Sequence, residues 1–190
     1  RRLIPGAYRA DLFKYIVLHY IGGIYSDLDV NLLQNLHDFV HIFTGTTISI
    51  DLDQTRLLPG AIVMAPPKQP IFVCAMGEVF DHSEKRRFFG SGPKANLDVT
   101  GPGVLGECLR HVHGDDDALF TPGLLELATS SFRLLHSFLR AGDGTHTVEL
   151  TAGVQLVEMQ AGGVKYQQSN LTCQPGEHYS ALYFKKEIYR

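Results

Sequence analysis

Gly22-Gly23-Ile24-Tyr25-Ser26-Asp27-Leu28-Asp29 is the stretch on which the reading of this chain turns. Before it, Leu12, Phe13, Ile16, Val17 and Tyr20 recur at three- and four-residue spacing, which predicts a helix from Ala10 to Tyr20 with one apolar stripe. The double glycine ends that helix, because glycine accepts the left-handed geometry of a helix C-terminus. A short strand is expected from Ile24 to Val30, with an acidic end. Residues two apart on a strand project to the same face, so Asp27 and Asp29 converge if the strand persists to its end. At a strand terminus, one carboxylate acts directly and the other through water. Hard oxygen ligands of this kind suit Mg²⁺ or Mn²⁺, which also takes diphosphate oxygens. Strand ends of open α/β sheets are where ligands commonly sit. An isolated Asp-x-Asp reads first as a solvated strand-to-loop junction, so the surroundings decide its meaning.

Working outward, Thr46 to Ile50 and Ala61 to Met64 read as strands, the first rich in β-branched residues. Pro66-Pro67 and Pro70 break the chain before a helix from about Ile71 to Phe80. Ser83 to Asn96 is basic and non-periodic and is expected to be a loop. Thr100-Gly101-Pro102 has the chemistry of a helix start, and Val104, Leu105, Cys108, Leu109 and Val112 then line one face. After a polar break from His113 to Asp117, Thr121-Pro122 is expected to cap a further helix towards Leu139, closed by Gly142. Thr147 to Leu150 and Val154 to Met159 alternate as two antiparallel strands, and the tail from Gly176 is aromatic and basic. Mixed helices and strands indicate an α/β domain.

With 190 residues the chain is long enough for one domain with a substantial core, and 1–190 is read as a single catalytic domain or a fragment of one. A formal charge of -3 supplies no broad positive field for nucleic acid. Three cysteines, Cys74, Cys108 and Cys173, include no Cys-x-x-Cys pair; one disulfide is possible and would leave an odd thiol. Asn170-Leu171-Thr172 is an N-glycosylation sequon, meaningful only in a secretory lumen. No segment reaches the ~20 apolar residues of a membrane span, so any membrane attachment is expected through a segment outside this chain. Because the chain begins at Arg1, it reads as a fragment or processed form.

The run Arg9-Ala10-Asp11-Leu12-Phe13-Lys14-Tyr15, then Gly22-Gly23-Ile24-Tyr25, then Asp27-Leu28-Asp29, resembles the Asp-x-Asp sugar-binding region of glycosyltransferase family 32, a pattern shared by glucosylating clostridial toxins. Leu58-Pro59-Gly60-Ala61-Ile62-Val63-Met64-Ala65 and Thr100-Gly101-Pro102-Gly103 also look like family segments. The resemblance implies a GT-A-like, Rossmann-related fold. The early β-α units that bind the nucleotide base would be missing, since only eight residues precede Arg9. It implies a hexosyltransferase that moves a sugar, with retention, from a nucleotide-sugar donor to a glycan or glycolipid acceptor, using Mn²⁺ or Mg²⁺. By motif, Asp27 and Asp29 hold the metal and diphosphate, Asp11 meets donor-sugar hydroxyls, and Tyr25 lies beside the nucleotide sugar. Lys14 stands where the family usually has arginine and keeps the charge without the planar fork. The segment Thr100-Gly101-Pro102 is expected to place backbone N–H groups near a phosphate or acceptor hydroxyl, which makes Gly101 and Pro102 substrate-binding candidates. His178 is a candidate late metal ligand, and Lys185 or Lys186 a candidate counter-charge for the leaving diphosphate. Golgi or another secretory lumen is expected for a eukaryotic chain, the cytoplasm for a bacterial or viral one.

Two rivals stand beside this reading. Asp51-Leu52-Asp53-Gln54-Thr55 fits the nucleophile pattern of haloacid dehalogenase-like phosphatases, with Gly114-Asp115-Asp116-Asp117 as a distal acidic motif; no lysine-bearing motif lies between them at a strand-to-helix junction. Otherwise Asp51 and Asp53 belong to an exposed loop after a strand, and the Asp115 to Asp117 run to a solvated turn. A degenerate domain that binds glycans or partners without catalysis is the second rival.

Overall fold

A computed structural model of the chain describes residues 3–27, 30–33, 35, 45–53, 56–90, 95–113, 123–127, 130–139, 145–151, 154–160 and 179–189. Helix α1 (Gly6–Tyr20) begins four residues before the expected Ala10, directly after Pro5, whose extended backbone supplies the N-cap. Pro5 was the unused signal, since proline is tolerated where the helix has no N–H to lose. The amides of Ile21 and Gly22 close the helix on the carbonyls of Val17 and Leu18, and Gly22 takes φ 73°, as the double glycine predicts.

The buried face of α1 is not the expected stripe. Tyr8, Lys14, Tyr15 and Leu18 are buried, whereas Phe13 and Tyr20 are 66% and 72% exposed. Apolar residues occupy most of this helix's circumference, so periodicity alone could not choose the inward side. Tyr15 chose it: its ring lies 6.5 Å from that of Phe72, and its hydroxyl finds two carbonyl partners.

Strand β1 (Gly23–Ser26) pairs antiparallel with β4 (Arg56–Ala65), which pairs antiparallel with β3 (Thr46–Asp53). Between β4 and the next helix the chain crosses the end of α1, where the Lys68 amide donates to the His19 carbonyl at 2.7 Å. Helix α2 (Pro70–Lys85) carries the Pro70 break at its first turn and runs beyond the expected end at Phe80. The expected loop from Ser83 therefore begins later, and its far end holds a 3₁₀ turn, Ala95–Asp98. Helix α3 (Pro102–His113) starts where Thr100-Gly101-Pro102 predicts and buries Val104, Leu105, Cys108 and Leu109. Cys74 on α2 and Cys108 on α3 form a disulfide with Cα atoms 5.7 Å apart. Cys173 lies outside the described residues.

The helix expected from Thr121 to Leu139 is corrected to two antiparallel strands, β5 (Gly123–Leu127) and β6 (Ser130–Leu139). Short apolar runs do not distinguish a buried strand from a buried helix, and here strand pairing decides. Strand β6 lies parallel to β3, with Thr46 opposite Phe132, and antiparallel to β7 (Thr145–Thr151). The expected hairpin of β7 with β8 (Val154–Gln160) forms, and β2 (Val30–Leu32) pairs with β8. The tail contributes α4 (Tyr179–Phe184); its Tyr183 hydroxyl donates to the Gly90 carbonyl and accepts from the Phe89 amide.

The sheet path runs β1-β4-β3-β6-β7-β8-β2, with β5 added beside β6. Its first and last strands are consecutive in sequence, separated only by residues 27–29. Such a link spans at most about 14 Å between Ser26 and Val30, so the sheet must curl until its two ends nearly meet. The expected single strand from Ile24 to Val30 is thereby corrected to two strands, β1 ending at Ser26 and β2 beginning at Val30, with the Val30 amide donating to the Asp27 carbonyl. The helices α1, α2 and α3 share one core with β3 and β4, centred on Tyr15, Phe72, Ile48, Val63, Leu105 and Leu109.

Gly22 has no room for a side chain. A Cβ there would come within 2.8 Å of the Ala65 carbonyl oxygen and of the Pro67 nitrogen. Both are backbone atoms, and the left-handed φ adds its own strain. Gly22→Ala is expected to lower unfolding free energy by about 2–3 kcal/mol, measured by urea titration. A variant as stable as the parent would show that the approach of α1 to the β4–α2 turn is not tight.

Candidate functional site

The acidic motif falls on the link between β1 and β2, and Asp27 is its described carboxylate. Asp27 sits one residue beyond β1, and its Oδ1 accepts a hydrogen bond from the Tyr25 hydroxyl at 2.5 Å. The two side chains lie on one side because residues two apart in extended chain do so. The Ser26 hydroxyl donates to the Asp27 carbonyl oxygen at 3.0 Å, which helps fix the turn. Asp29 and His178 lie outside the described residues.

From Tyr25 the contacts continue inward. The Lys14 ammonium stands 4.7 Å from the centre of the Tyr25 ring, a cation–π approach, and 3.3 Å from Asp11 Oδ1. Lys14 is only 9% exposed, so its charge is compensated by Asp11 and the ring rather than by bulk water. Asp11 Oδ2 accepts from the Thr100 hydroxyl at 3.0 Å. Tyr15, fully buried, donates to the carbonyls of Thr100 at 2.8 Å and Gly101 at 3.0 Å. Burial, then the negative charge of Asp11 and the neighbouring Tyr25, hold the Tyr15 hydroxyl well above the ordinary phenol range, so it remains a neutral donor.

Asp11, Lys14, Tyr25, Asp27 and Gly101, separated by up to 90 residues in sequence, thus form one connected cluster built from α1, β1 and the turn before α3. Pro102 follows as the first residue of α3. Gly101 matters by being small: a Cβ there would lie 3.3 Å from Asp11 Oδ2. Two participants, Tyr15 and Thr100, were not among the sequence candidates, although both sit inside the motif segments that gave the others. Lys185 and Lys186 are exposed after α4. Asp51 and Asp53 are not in a loop after a strand; they lie within β3, opposite Leu58 and Arg56 of the adjoining β4. The acidic run at Asp115 to Asp117 lies outside the described residues.

A carboxylate at a strand end beside a buried ion pair offers hard oxygen to a divalent cation and hydrogen-bonding groups to a polyol. Among the described residues no three His, Cys, Asp or Glu side chains gather around one point; Asp27 is the described half of the acidic pair. The donor chemistry of Asp27 fits Mn²⁺ or Mg²⁺. A separate cleft of about 730 Å³ opens between α2 and α3, lined by Cys74, Glu78, His82, Asp98, Gly103 and His111 among others. Its walls include none of Asp11, Lys14, Tyr25 or Asp27, so chemistry rather than void size locates the candidate site.

Residues 2–47 match the family described as glycosyltransferase sugar-binding region containing DXD motif. The matched segment contains Asp11, Lys14, Tyr25, Asp27 and Asp29. No curated protein matches the chain. Among solved structures, it is similar to one titled PaToxG Glycosyltransferase, with a TM-score of 0.45 and 19% identity, over 60% of this chain and 38% of that one.

Proposed function

We propose that this chain is the donor-binding, catalytic part of a metal-dependent glycosyltransferase of family 32 type, with a GT-A-like fold. It would transfer a hexose from a nucleotide-sugar donor to a glycan or glycolipid acceptor. The observation that carries this is the continuous cluster running from Asp27 through Tyr25 and Lys14 to Asp11 within the matched sugar-binding region. Asp27 and Asp29 would hold Mn²⁺ or Mg²⁺, and the ion would offset the charge on the departing diphosphate. Asp27, fixed by Tyr25, keeps its carboxylate at the seam of the sheet. Asp11 accepts from sugar hydroxyls, and Lys14, 3.3 Å from its Oδ1, orients the carboxylate. For a retaining transfer, the acceptor oxygen bonds the anomeric carbon on the face from which the diphosphate oxygen departs, and the acceptor's proton leaves with the diphosphate. No protein nucleophile is required, which suits a cluster whose Lys14 and Tyr15 are already engaged.

The Cys74–Cys108 disulfide supports residence in an oxidising compartment such as a secretory lumen, or export.

Calorimetry with Mn²⁺ and a nucleoside diphosphate tests the metal assignment. Asp29→Ala is expected to lose metal-dependent binding of the diphosphate while its circular dichroism stays that of the parent. Undiminished binding in a folded Asp29→Ala chain would reject the acidic pair as the metal site.

A further inference from the structure

We propose that Thr100 is a positioning residue for Asp11, and that Tyr15 holds Thr100 in place, so that the turn before α3 sets how the donor sugar is gripped. The inference rests on the glycosyltransferase reading and deepens it. Asp11 is on a helix, where neither oxygen has a fixed direction unless a partner supplies one. Lys14, one turn along, takes Oδ1 at 3.3 Å. Thr100, 89 residues away, takes Oδ2 at 3.0 Å. Both oxygens are therefore tied, and the direction left for a ligand hydroxyl is set by the second tie, which alone comes from another element.

Thr100 is fully buried, and its backbone is fixed as firmly as its side chain. The carbonyls of Thr100 and Gly101 both accept from the Tyr15 hydroxyl, which burial, and after it the Asp11 charge, keeps protonated. The Gly101 amide donates to the Leu97 carbonyl at 3.2 Å, and the Leu105 amide to the Gly101 carbonyl at 3.3 Å. The turn is thus held from the 3₁₀ segment, from α3 and from α1 at once. Gly101 then keeps a methyl group away from Asp11 Oδ2. A threonine hydroxyl on a rigid support, aimed at a carboxylate that is 20% exposed, is a device for aiming that carboxylate.

The test separates the sugar from the rest of the donor. UDP-glucose and GDP-mannose are titrated calorimetrically into the full chain with MnCl₂, alongside UDP and GDP. Thr100→Val keeps the shape and removes the hydroxyl. It is expected to weaken binding of whichever sugar nucleotide the parent takes by about tenfold or more, the loss of a hydrogen bond to a charged group. It should leave the matching diphosphate unchanged, because Asp27 and Asp29 are untouched. Thr100→Ser, which retains the hydroxyl, should recover most of the affinity. A loss shared equally by sugar nucleotide and diphosphate would assign Thr100 a merely structural role and overturn the proposal. So would a Thr100→Val chain that binds the sugar nucleotide as the parent does, with the glycosyltransferase reading left standing. A parent that binds the diphosphates but neither sugar nucleotide would remove both together. If Thr100→Val does not fold, Tyr15→Phe carries the same comparison: a sugar-selective loss supports the proposal, and equal loss or none overturns it.

Discussion

Asp27→Ala is expected to reduce Mn²⁺-dependent hydrolysis of the preferred nucleotide sugar by about 10²–10³-fold, the scale on which single electrostatic contacts to a developing negative charge act. The reason is local. Asp27 stands one residue beyond β1, and the Tyr25 hydroxyl fixes the direction of one carboxylate oxygen. Alanine removes the charge and the carboxylate oxygen that accepts from Tyr25, yet takes nothing from the helical core. The fold should survive, with thermal midpoint changed little. Asp27→Asn separates the two effects, since an amide oxygen still accepts from Tyr25 but carries no charge for the cation. If charge is what matters, the asparagine variant should fall nearly as far as alanine. Sugar-nucleotide hydrolysis by either variant at the parental rate would remove Asp27 from the site.

Loss of the Cys74–Cys108 bond is the second large effect. The bridge closes a loop of 34 residues between two helices. Relief of that closure in the unfolded chain corresponds to about 4 kcal/mol on the chain-entropy account. Cys74→Ser with Cys108→Ser should show nearly that decrease in urea unfolding, and dithiothreitol should bring the parent to the same value. Helix α3 begins immediately after Gly101, so loosening it reaches the Thr100–Asp11 contact as well. A double variant as stable as the oxidised parent would mean the two helices are held by packing alone.

Some of this architecture is legible from residue types because the governing forces are local. Glycine at φ 73° ends α1 at the double glycine, and Thr100-Gly101-Pro102 opens α3, as each segment's backbone preference requires. The alternation in Thr147 to Leu150 and Val154 to Met159 fits only strands that pair with each other. Where two periodicities were compatible, the sequence misled: Leu124-Leu125 and Leu134-Leu135 sit as well on a helix as on a strand, and parallel pairing of β6 with β3 settled it. Phe13 belongs to the expected apolar stripe and is exposed, whereas Lys14 lies outside that stripe and is buried. A lysine goes inside only where a carboxylate and an aromatic face compensate its charge; Asp11 is one helix turn away, but the Tyr25 ring comes from β1, a contact that helix spacing cannot foresee.

The sequence by itself determined the chemical inventory: an acidic pair after a double glycine, an aspartate and a lysine three residues apart on one helix, and a tight helix-opening motif. These follow from side-chain type and backbone freedom within a few residues. Only the tertiary structure decided that Thr100 and Tyr15 belong with Asp11, and that Asp27 lies where the first and last strands of a curled sheet meet. Those placements arise from burial and from hydrogen bonds satisfied across some 90 residues of chain, whose free energy depends on which surfaces meet rather than on which residues are neighbours in the chain.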